Sequence, residues 1–89
     1  MTTEELLCAV TGNVILEVST SHHEGRGEYS TDKWTMSTIH GGKKIIEILK
    51  RSPTIDYDKV LSSNCEVGEP RDGFTVVRSL VPPVKQGKT

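Results

Sequence analysis

A small α+β domain, with a three- or four-stranded, mainly antiparallel sheet packed against two short helices, is the fold this chain predicts. Three observations carry the expectation. Two short segments repeat apolar residues at helical spacing beside start and stop signals, three others alternate apolar and polar residues with the period of a strand, and 89 residues suffice for one core. The domain is taken as residues 1–84, with residues 85–89 as a flexible tail.

The first helix is expected over about Thr3 to Thr11. Thr2 and Glu5 have capping-box spacing, Leu6, Leu7 and Val10 share a face, and Gly12 supplies the stop. Val14, Leu16 and Val18 then alternate with Glu17 and Ser19, a half-buried strand with Ile15 as the one apolar residue on its other face. Ser21 to Lys33 is polar apart from Tyr29 and contains Gly25 and Gly27, so it reads as a long loop, functional or mobile.

Trp34 and Met36 resume alternation in a second strand of about seven residues. The simplest pairing with the first strand is antiparallel, a hairpin with an oversized loop. A second helix is expected from about Lys43 to Arg51, with Ile45, Ile48 and Leu49 on one face, Ile46 widening it and Pro53 just beyond the end. Asp56 is placed to cap a further turn over Tyr57 to Leu61. Cys65 to Val67 reads as a short edge strand and Glu69 to Gly73 as a turn in which Gly73 accepts a positive φ. Phe74 to Val81 is the strongest strand, and its adjacent Val76 and Val77 point to a central position covered on parts of both faces.

Composition limits function. Eleven basic and twelve acidic residues give a formal net charge of −1, so no bulk electrostatic attraction favours a general nucleic-acid binder and local patches must carry any such case. The apolar share is 34%, low enough that a homodimer hiding one face is a reasonable expectation. Cys8 and Cys65 come without a secretory leader and read as two reduced thiols in a cytoplasmic protein, and no apolar run reaches the ~20 residues of a membrane helix.

The expected chain is not an enzyme and needs no cofactor. Cys8 falls on a helix and Cys65 beside a turn, neither with an adjacent histidine to act as base. His22, His23 and Glu24 resemble metal-ligand material, but in the proposed hairpin His40 lies about 20 Å from them, and the His-Glu-x-x-His spacing is missed. They are assigned as solvated loop histidines. Gly87-Lys88-Thr89 copies the end of a phosphate-binding loop, yet the first glycine of that motif would fall on Pro82.

Two binding readings remain. In the leading one the chain is a small protein-interaction module, a regulator or inhibitor acting by occlusion, with Arg26, Glu28 and Tyr29 of the polar loop contacting the partner, since Arg and Tyr are enriched at the energetic centres of interfaces. The alternative is nucleic-acid or polyanion binding through Gly42, Lys43, Lys44, Lys50 and Arg51, because backbone N–H groups at a helix start attract anions and the lysines add field. No metal-binding residue is assigned.

Overall fold

The computed structural model describes the backbone of residues 1–23 and 29–81, and the side chains of 1–20 and 32–81. In chain order the elements are α1 (Thr3–Ala9), β1 (Val14–His23), β2 (Tyr29–Thr38), α2 (Gly42–Arg51), α3 (Tyr57–Ser62), β3 (Asn64–Val67) and β4 (Thr75–Leu80). The four strands form one sheet in the order β2-β1-β4-β3, with β1–β2 and β3–β4 antiparallel and the central β1–β4 pair parallel. This is the expected mixed domain, with a third helix where the Asp56 cap allowed a further turn.

Local signals explain each helix. At α1, the Glu5 N–H donates to Thr2 Oγ1 at 3.2 Å and the Thr2 N–H to Glu5 Oε1 at 2.8 Å, the reciprocal capping box. That bond to the Thr2 backbone is the main reason the Glu5 carboxyl is held below its usual pKa. At α3, Asp56 accepts from the Lys59 N–H at 3.2 Å. A helix this short draws its stability from buried Val60 and Leu61 rather than from propensity.

The helices cover one sheet face. Register places Val14, Leu16 and Val18 of β1 beside Thr38, Met36 and Trp34 of β2, and beside Thr75, Val77 and Ser79 of β4. Leu7 of α1, Ile45 and Leu49 of α2, and Val60 and Leu61 of α3 close over that surface. On the opposite face Val76 is also fully buried while Arg78 is exposed, so β4 is covered on parts of both faces, as its paired valines predict.

The hairpin departs from expectation. Pairing of β1 with β2 runs unbroken from Val14↔Thr38 to His23↔Tyr29, so Ser21–His23 and Tyr29–Lys33, read above as loop, are strand. Apolar alternation reports a face packed on a core, not a hydrogen-bonded ladder. The β1–β4 pairing stops at Ser19↔Leu80, and beyond it a two-stranded ribbon can continue in Ser and Thr without that signal. Arg26 and Glu28, and the tail 85–89, lie outside the described residues.

Two glycines lock the helical layer. A β-carbon on Gly42 would stand 2.0 Å from the Leu7 carbonyl oxygen, so α1 and α2 meet through bare backbone. The Gly42 N–H donates to Val10 O at 3.0 Å, and the N–H of Gly41, whose φ is +91°, donates to Gly12 O at 2.9 Å. The chain entering β1 is thereby tied to the chain leaving β2. Gly42→Ala is expected to cost about 3 kcal/mol by overpacking. Gly12→Ala, with open space around it and only a φ of +81° to strain, is expected to cost about 1 kcal/mol. Urea denaturation of the two variants checks the order.

Candidate functional site

Three surfaces offer chemistry. The first is the arm formed by Thr20–His23 and Tyr29–Asp32, which pair with each other past the point where β4 leaves β1. At about 3.3 Å per residue, four paired residues extend the ribbon by about 13 Å. His22, His23 and Tyr29 belong to this arm, and Arg26 and Glu28 fall in its connecting residues by sequence. His40 follows β2 at the other end of the ladder, so the hairpin separates it from His22 and His23. Among the described residues no group of three or more His, Cys, Asp or Glu side chains is arranged to hold a metal ion.

The second surface is the outer side of α2. Ile45, Ile46 and Leu49 are buried, while Lys43, Glu47, Lys50 and Arg51 are exposed and Lys44 is half-buried. The four cations divide between the α1 flank and the outer face of the helix. Lys43 borders a depression with Cys8, Thr11 and Gly12, and Lys50 borders another with Glu4 and Asp58, which puts both on the α1 side. Lys44 and Arg51 lie one helical step round, on the solvent-facing side opposite buried Ile45 and Leu49, between Glu47 and 40%-exposed Ile48. Lys44 Nζ is 3.7 Å from Glu47. Gly42 itself is packed against α1, and its N–H and that of Gly41 are occupied by internal carbonyls.

The third surface, not singled out by the sequence, lies on the sheet face opposite the helices. Glu17 accepts from both Arg71 and Arg78, the latter through Nε at 3.0 Å, and Arg78 also lies 3.7 Å from Glu66. Pairing brings Glu17 beside Arg78. Arg71 arrives by a different device. Asp72 and Gly73 both have positive φ in a two-residue turn closed by reciprocal Arg71–Phe74 bonds of 3.0 and 2.9 Å. Yet β3 and β4 pair as Val67↔Val77 and Gly68↔Val76, so one extra residue is accommodated between Gly68 and Arg71. That bulge reverses the facing of Arg71 and turns it onto the Glu17 side. Glu17, Lys33, Thr35, Arg78 and Leu80 border a shallow depression of about 470 Å³ beside this network.

Among the described residues no Ser, Thr or Cys side chain hydrogen-bonds a histidine side chain. The Cys65 thiol is pushed up in pKa, chiefly by burial, and donates weakly to Met1 O at 3.7 Å, which disfavours its thiolate. Thr3, Ser63 and Ser79 gather their hydroxyls in the interior. A consistent chain of donors runs from Thr3 to Ser79 at 3.2 Å, to Ser63 at 2.7 Å, and to Val60 O at 2.7 Å, so these groups satisfy one another. No helix among the described residues is long and apolar enough to cross a membrane. Comparison of the chain with protein-family models, with curated proteins and with solved structures finds no match.

The Glu17 carboxyl sits below its usual pKa because Arg71, then Arg78, hydrogen-bond its charged form. Stability from this contact is therefore present above the ordinary carboxylate pKa and is lost as pH falls through the lower folded value. Both arginines are about half exposed, which limits the sum to about 1 kcal/mol. Glu17→Gln is expected to lower stability by that amount at neutral pH, and the gap from wild type should close in acid. Denaturation midpoints measured across pH test the sign.

Proposed function

We propose that this chain is a small, non-enzymatic protein-interaction module, a regulator or inhibitor that acts by occupying a surface of its partner. The observation that carries the reading is the projecting β1–β2 arm, whose strands pair with each other beyond the four-stranded sheet and lead into Arg26 and Glu28 and out through Tyr29. A paired ribbon held by the sheet at its base is a fixed platform for a contact, and Tyr and Arg are the residue types that concentrate binding energy. Action in the cytoplasm and self-association into a homodimer form part of the same proposal.

A second reading, nucleic-acid or polyanion binding through Lys43, Lys44, Lys50 and Arg51, is favoured by the clustering of four cations on one short helix. Glu47 within the cluster and Glu4 and Asp58 beside Lys50 weigh against it. Salt separates the two, because phosphate contacts release counterions and lose affinity steeply as salt rises.

Affinity capture from a cell lysate at low and high salt, with nuclease controls, is the test. A stoichiometric protein retained under both conditions and lost with Tyr29→Ala is the expected result, with the variant's circular dichroism unchanged. Undiminished capture by Tyr29→Ala would remove the arm from the interface. Nucleic acid recovered only at low salt would transfer the function to α2.

A further inference from the structure

We draw no further inference here: the strongest candidate, the depression of about 180 Å³ that Cys8 near the end of α1 shares with His40 and Lys43, carries nothing, because it rests on a single exposed cysteine and no second observation among the described residues points to a ligand there.

Discussion

The parallel seam between β1 and β4 is the contact on which the rest of the structure depends. Six register pairs, from Val14↔Thr75 to Ser19↔Leu80, join an N-terminal hairpin to a C-terminal one across some sixty positions of sequence. An isolated hairpin is marginal in water, and both halves contribute to one core, Leu16 and Leu49 from the first and Val60 and Val77 from the second. At the seam Val14, Leu16, Val76 and Val77 are wholly buried and Val18 nearly so. The Thr75 N–H, bonded to Asn13 O at 3.1 Å, extends the contact beyond the strand ends. The hydroxyls of Thr3, Ser63 and Ser79 then tie α1 and the end of α3 to β4 from within, and a fully satisfied polar chain of this kind favours one packing over its neighbours.

The helical layer depends on the seam in turn and positions the cations of α2. Close backbone approach at Gly42 fixes α2 against α1, so Lys43 borders Cys8 and Gly12, Lys50 borders Glu4 and Asp58, and Lys44 and Arg51 are left on the solvent-facing side of the helix. The same four residues, viewed only as composition, make a single basic patch. Packed, they are spread over the α1 flank and the solvent-facing side, with Glu47 among them and Glu4 and Asp58 beside Lys50. On the opposite face, the Arg71–Glu17–Arg78 contact joins the turn before β4 to β1 and stiffens the sheet where no helix supports it.

Much of the fold was legible because its signals are local. Thr2 with Glu5, Asp56 before Tyr57, the alternation through Val14, Leu16 and Val18, and the doubled valines of β4 each report a physical requirement met within a few residues. The arm was not legible, since Ser19 to Ser21 and Ser30 to Asp32 have no apolar face to announce pairing, and a hydrogen-bonded ladder leaves no periodic trace of its own. Arg71 escaped for another reason. Its partner Glu17 lies 54 positions away, and only a one-residue bulge, which no composition rule marks, turns it to the right side of the sheet. The candidate site was readable in residue types and unreadable in grouping: Lys43, Lys44, Lys50 and Arg51 were found together, and their division by α1 required the packing of Gly42.

The unequal edges of the sheet also govern what happens at high concentration. Open-ended growth by strand addition needs each molecule to offer two competent edges, one to accept a neighbour and one to be accepted. Here the Thr2 bridge and the brevity of β3 close one side. A molecule added along β2 would bring with it, among the described residues, only a short and partly closed second edge, so growth strand upon strand into a fibre is disfavoured.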